Sequence, residues 1–167
     1  MSSAHSHPSE RCAISHFGIQ VADLQRSLAF YRDLIGLEVV REAVLDDEVT
    51  RALVGYPTAI LNVALLRLPQ GAAYLEIIQY EGVAGVPVDA ATVNPGTCHL
   101  CFHVEDLAAT YQRLTEAGVA SVSAVLDLKT QPFVGSKVVY MIDPDGVRVE
   151  LLDSDPYDVT GELRTGS

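Results

Sequence analysis

The feature that most constrains the fold of this chain is an internal repeat. The pattern His-x-x-x-x-Val-x-Asp-Leu occurs at residues 16–24 and again at residues 99–107. In both copies, apolar residues at helical spacing follow the pattern and lead to a glycine, Gly36 or Gly118. Such a repeat indicates two copies of one supersecondary unit that bury a core together.

Each copy reads as a strand, a helix and three further strands. Alternating and apolar runs predict the strands, while Asp23 and Asp106 precede the predicted helices as N-caps. Residues 46–56 are acidic and then mixed, and we predict a loop there that can contain a helical turn. The predicted strands are 13–21, 37–44, 59–68 and 73–80 in the first copy, and 99–104, 119–126, 136–142 and 147–152 in the second.

The repeat also sets the expected domain organisation. We predict an N-terminal arm at 1–12, a first module at 13–80, a linker at 81–95, a second module at 96–153 and a tail at 154–167. The linker is rich in Gly, Pro, Ala and Val and lacks periodicity. The predicted fold class is α+β, with two tandem βαβββ modules that pair into a curved mixed sheet around a central metal-binding trough.

Four residues recur as two matched pairs, and we predict that they hold one divalent metal ion. His16 and His99 begin strands, while Glu76 and Glu150 lie inside apolar strands, in YLEIIQY and VRVELLD. Taken singly, such a histidine is usually structural and such a glutamate usually solvated. A carboxylate in an apolar run is costly to bury unless it is paired or binds a metal. Because this anomaly occurs at equivalent points of both copies, the metal site is the better interpretation.

Composition narrows the classes of partner. The formal net charge is −11, and a surface this acidic repels phosphate backbones, so we expect neither nucleic acid nor a membrane as a partner. No signal-peptide pattern or long apolar run is present, which predicts a cytoplasmic protein. Cys98 and Cys101 form a C-x-x-C, but on a strand they point to opposite faces, which disfavours a redox or zinc role.

Four stretches carry a resemblance to a known family: HFGIQVADLQRSLAFYRDLIGLEVV, YLEIIQY, HLCFHVEDLAATYQRLTEAGV and VVYMIDPDGVRVELLD. They resemble the vicinal oxygen chelate superfamily of glyoxalases, bleomycin-resistance proteins and extradiol dioxygenases, and cover most of residues 13–153. The resemblance implies paired βαβββ modules, with metal ligands at the positions of His16, Glu76, His99 and Glu150.

The number of ligands points to a reaction class. Four protein ligands on an octahedral ion leave two adjacent positions, which suits a small oxo or hydroxy compound that chelates through two oxygens. Nitrogen and oxygen ligands of this kind fit Ni, Co, Zn, Mn, Mg or Fe. We therefore expect an isomerase, epimerase or lyase that removes a proton next to a carbonyl through a metal-chelated enediolate, as in glyoxalase I and methylmalonyl-CoA epimerase. Glu150 or Glu76 is the expected base.

Two alternatives stay open at this point. The resemblance also covers extradiol ring-cleaving dioxygenases, which use non-haem iron with two histidines and one glutamate. These enzymes need three open positions on the iron, two for the catecholate and one for dioxygen, and Glu76 as a fourth ligand would occupy one of them. Drug-binding resistance proteins usually lack the ligand set, so the intact set disfavours binding without catalysis.

Strand alternation extends the predicted site beyond the ligands. His103 shares a face with His99 and is a third candidate catalytic residue. Gln20, Cys101 and Tyr140 are the candidate substrate-binding residues. Exposed sheet edges lead us to expect a homodimer.

Overall fold

The computed structural model describes residues 13–69, 73–130 and 134–153. The predicted arm at 1–12 and the predicted tail at 154–167 lie outside these residues. So do Gln70 and Gly71, which belong to the turn expected between two strands of the first module.

The first copy of the repeat forms a four-stranded mixed sheet in the order β1-β4-β3-β2. Strand β1 pairs with β4 in parallel, while β3 pairs with both β2 and β4 in antiparallel fashion. Apolar residues such as Leu75 and Ile77 alternate along β4 and are fully buried on one face of the sheet. The strands are β1 His16–Val21, β2 Glu38–Leu45, β3 Ile60–Arg67 and β4 Tyr74–Glu81.

The second copy forms a four-stranded sheet of the same topology, in the order β5-β8-β7-β6. Strand β5 pairs with β8 in parallel, as β1 does with β4. The strands are β5 His99–His103, β6 Leu126–Asp127, β7 Lys137–Ile142 and β8 Arg148–Leu152. The predicted fold class, α+β with two βαβββ modules, is therefore confirmed.

Helix α1 begins as an α-helix, Leu24–Leu28, and continues as a π-helical segment, Ala29–Leu34. Its residues Gln25–Gly36 group by their contacts with the unit that holds the second sheet, while Leu37–Val83 group with the first. The predicted first module at 13–80 includes these helix residues, and that division into modules stays a prediction. No helix among the described residues is long and apolar enough to cross a membrane.

Two elements differ from the expectation. Helix α2, Glu48–Val54, occupies the predicted loop, because the side chain of Asp47 accepts a hydrogen bond from Thr50 N at 3.0 Å and caps it. Conversely, the predicted strand at 119–126 is interrupted. Its backbone bonds β7 around Ser121, through Ala120 O and Val122 N, and pairs with β7 again in β6. Helix α3, Leu107–Glu116, begins at its expected cap, Asp106.

A buried hydrogen bond joins α1 to the turn between β7 and β8. The Tyr31 hydroxyl donates to Asp143 Oδ2 at 2.9 Å, and the two residues are 0% and 3% exposed. Asp143 Oδ1 accepts from the backbone N–H groups of Asp145 and Val147, which closes the turn. Arg26 adds an ion pair to Asp145 at 2.5 Å. The turn is thus held both by its own aspartate and by the helix.

Replacing Tyr31 with Phe should destabilise the protein, because Asp143 Oδ2 loses a buried donor. We expect the free energy of unfolding, measured by urea denaturation, to fall by about 1–3 kcal/mol. Tyr111→Phe is the matched control, since that hydroxyl lies 3.4 Å from Ser121 Oγ in a partly buried contact. Equal losses in both variants would contradict a special role for the Tyr31 contact.

Burial raises the pKa of Asp143 above its ordinary value of 3.8, although the hydrogen bonds from Tyr31, Val147 and Asp145 lower it. The native state therefore binds this proton more tightly than the unfolded state, so stability falls as pH rises from 3.8 through the raised pKa. Asp143→Asn removes this titration. Its stability relative to the wild type should improve over the same window, by about 1.4 kcal/mol per unit of raised pKa. Chemical denaturation measures the difference in unfolding free energy between the two proteins, and a difference that does not vary with pH would refute this expectation.

Candidate functional site

The first matched pair, His16 and Glu76, lies on the parallel strands β1 and β4. Gly18 is the register partner of Glu76, so alternation places His16, Gly18 and Gln20 on the sheet face that carries Glu76. His16 Nε2 is 3.4 Å from Glu76 Oε2, and the two side chains are 47% and 23% exposed. The two predicted ligands of the first module therefore lie side by side, and both side chains are accessible to solvent.

The second matched pair, His99 and Glu150, repeats this arrangement on β5 and β8. Cys101 is the register partner of Glu150, as Gly18 is of Glu76. His99 Nε2 is 3.1 Å from Glu150 Oε2, with side chains 41% and 20% exposed. The same two-residue offset along a parallel strand thus brings histidine and glutamate together in each sheet.

The geometry of each pair fits two ligands of one metal ion. Ligand atoms that lie about 2.1 Å from an ion at right angles to each other are about 3 Å apart. The Nε2–Oε2 distances of 3.4 and 3.1 Å come close to this value. Within residues 13–69, 73–130 and 134–153, no group of three or more His, Cys, Asp or Glu side chains is arranged to hold a metal. Each pair thus supplies two candidate ligands, and the four-ligand site remains a prediction.

Polar and aromatic groups surround the second pair. Tyr140 on β7 is the register partner of Glu150, and its ring packs edge-on against His99 with centroids 5.4 Å apart. Burial raises the pKa of Tyr140, and the charge of Glu150 and a hydrogen bond with it add to this shift. Cys101 is exposed as a residue, but the atoms packed around its thiol desolvate the sulfur. Together with the charge of Glu150, this raises the pKa of Cys101 to about 12.

The surroundings of the first pair are apolar. Leu65 on β3, not a tyrosine, is the register partner of Glu76. Farther along the same face, Val63 and Ile78 belong to a buried cluster, against which Val54 of α2 packs. The packing of Val54 against this cluster was not predicted, because residues 46–56 were expected to form a loop. The sequence does contain a helix signal, because Asp47 can act as an N-cap and apolar residues follow at Val49, Leu53 and Val54.

The remaining predicted site residues lie on the expected strands. Gln20 is exposed and is the register partner of Ile78, while His103 is partly buried and is the register partner of Leu152. Alternation places them on the faces of the first and second pairs respectively. Their predicted roles in substrate binding and catalysis stay predictions, whereas Cys101 and Tyr140 lie directly beside Glu150.

Comparisons with known proteins agree on the family. The model of the Glyoxalase/Bleomycin resistance protein/Dioxygenase superfamily matches residues 13–151. A 2-epi-5-epi-valiolone epimerase from Actinomyces sp. is 29% identical over 160 residues, covering 91% of this chain and 86% of the relative. A probable lactoylglutathione lyase from Synechocystis sp. is 28% identical over 140 residues, covering 83% and 93%. The fold matches a glyoxalase family protein from Bacillus cereus with a TM-score of 0.77 at 20% identity, covering 89% of this chain and 98% of that one.

The raised pKa of Cys101 predicts slow alkylation of its thiol in chelator-treated protein. In a background of Cys12→Ser and Cys98→Ser, iodoacetamide should modify Cys101 slowly at pH 8 and faster as pH approaches about 12. Glu150→Gln should shift the rate profile to lower pH, because it removes the nearby negative charge, whereas Glu105→Gln serves as a control. Mass spectrometry measures the rates. A profile with the ordinary thiol midpoint in the parent protein would contradict the assignment.

Proposed function

We propose that this chain, which belongs to the Glyoxalase/Bleomycin resistance protein/Dioxygenase superfamily, is a divalent-metal-dependent isomerase, epimerase or lyase. The observation that carries the proposal is the recurrence of one His–Glu pair at the same register in both sheets. His16, Glu76, His99 and Glu150 are the proposed ligands of one ion. Their imidazole and carboxylate donors fit Ni, Co, Zn, Mn, Mg or Fe.

When bound, such an ion polarises a carbonyl oxygen and makes a C–H bond next to it more acidic. The residues of the chain supply the proton transfer and the positioning. Glu76 or Glu150 accepts the proton from the carbon beside the carbonyl and then returns it, to either face of the same carbon or to its neighbour. His103, Gln20 and Tyr140 are proposed to contact the polar groups of the substrate.

The names of similar proteins support an epimerase or lyase as the reaction class. The Actinomyces relative is named as an epimerase and the Synechocystis relative as a probable lyase. A further relative, 31% identical over 107 residues, is named as an ethylmalonyl-CoA/methylmalonyl-CoA epimerase from Cereibacter sphaeroides and covers 63% of this chain. Epimerisation of a centre next to a carbonyl and isomerisation of an α-hydroxy carbonyl compound can both proceed by movement of that proton, which is the step proposed here.

Metal titration of chelator-treated protein tests the ligand set. We expect one divalent ion per chain and a raised melting temperature. Each of Glu76→Gln and Glu150→Gln should weaken metal affinity by at least about tenfold, since each removes an anionic ligand. Glu81→Gln is the matched control, because Glu81 also lies on β4 but accepts a hydrogen bond from the side chain of Asn62. Wild-type protein that binds none of the six metals would refute the proposal.

Proton exchange tests the reaction class. With metal bound, the protein should catalyse deuterium uptake from D₂O at the carbon next to the carbonyl of dihydroxyacetone, followed by NMR. Ring cleavage of a catechol by the Fe(II) form in the presence of oxygen would assign the dioxygenase alternative instead. Tight drug binding with neither metal nor turnover would assign the resistance-protein alternative. The expected homodimer and cytoplasmic location remain proposals, and sedimentation tests the former.

A further inference from the structure

Gly18 is a strand glycine that the described fold does not require. Its φ lies outside the left-handed region, and a Cβ built on it would lie 3.8 Å from Glu76 Oε2 and 3.9 Å from Ile78 Cδ1, both ordinary contact distances. Gly82 provides the contrast, with φ of 73° and a Cβ that would lie 2.3 Å from the carbonyl oxygen of Thr58. Gly82 is therefore a structural necessity, whereas Gly18 leaves space beside a carboxylate.

The second sheet fills the matching space with side chains. Cys101 occupies the position equivalent to Gly18, and Tyr140 the position equivalent to Leu65. The carboxylate of Glu150 thus has a thiol, a phenol and the ring of His99 around it. Among the described residues, the side-chain donor in contact with Glu76 is His16. The two carboxylates have the same register but different neighbours.

A glycine inside a strand weakens the strand and often marks a place where a ligand approaches the backbone closely. The open space at Gly18 adjoins an accessible carboxylate oxygen on one side and an apolar side chain, Ile78, on the other. It therefore suits a group with one polar and one carbon-bearing edge, such as a substituent on the carbon next to a carbonyl.

We propose that the substrate lies over Gly18, so that Glu76 is the carboxylate that exchanges the proton and Gly18 limits the size of the substituent on the reacting carbon. Glu150, which shares a hydrogen bond with Tyr140, is then the carboxylate that stays in place. In the reaction, the C–H bond breaks, its proton passes to Glu76, and its electron pair remains on the substrate until the proton returns. This inference rests on the proposed function. The proposed function treats Glu76 and Glu150 alike as candidate bases, and the inference assigns that role to Glu76.

The test compares the same substitution at the two equivalent positions. Gly18→Val places a branched side chain over Glu76, and Cys101→Val, its matched control, places one over Glu150, where a side chain of similar size already stands. The probe is acetohydroxamate, which chelates through two oxygens, titrated into the Co(II)-loaded protein. Metal affinity, measured with Co(II) alone, and melting temperature are recorded for each variant. Gly18→Ala is the milder second variant if Gly18→Val does not fold.

We expect Gly18→Val to weaken acetohydroxamate binding by about 10- to 200-fold, the range set by added carbon in a filled pocket. Cobalt affinity and melting temperature should change little. Because Cys101 is itself a candidate substrate-binding residue, Cys101→Val is compared by the size of its effect, and its loss of probe affinity should be at least about tenfold smaller than that of Gly18→Val. Gly18→Ala should give a smaller loss in the same direction.

Equal losses from Gly18→Val and Cys101→Val, or none from either, would overturn the inference while leaving the proposed function intact. So would a loss of cobalt affinity that accounts for the whole loss of probe binding. Wild-type protein that binds no metal would overturn the proposed function and the inference with it.

Discussion

The parallel pairing of an edge strand with the strand that carries the glutamate is the constraint on which the rest of this structure depends. Parallel partners point their side chains to the same face, so register decides which groups meet. With Gly18 beside Glu76 and Cys101 beside Glu150, the histidine two residues earlier reaches the carboxylate. A shift by one residue would turn each histidine to the opposite face and leave the glutamate without it.

The two sheets share this register but differ around it. The first pair has a glycine and a leucine as neighbours, while the second has a cysteine and a tyrosine. The repeat therefore places a histidine beside a glutamate twice, while the residues next to each pair differ between the two sheets.

Most of the strands and the two His–Glu pairs were predictable because both depend on short periodic patterns, whereas the role of the pairs as metal ligands stays a proposal. For α2, at most a helical turn within a loop was predicted, because a seven-residue helix depends on the cap at Asp47 and not on a long apolar stripe. The predicted strand at 119–126 was too long, because β-propensity does not ensure a partner, and this segment pairs with β7 at Ser121 and again in the short β6. Local propensity is a weak guide where tertiary pairing decides the outcome.

Residue order and strand geometry were enough to identify the repeat, the alternation of faces and the four candidate ligands. The neighbours of each candidate ligand could not be predicted in this way, since register between strands far apart in sequence is a long-range property that the folded structure reveals. It also placed Tyr31 against Asp143, 112 positions away, and grouped α1 with the second sheet. No local pattern encodes such a contact, because it depends on how two surfaces pack after the strands have formed.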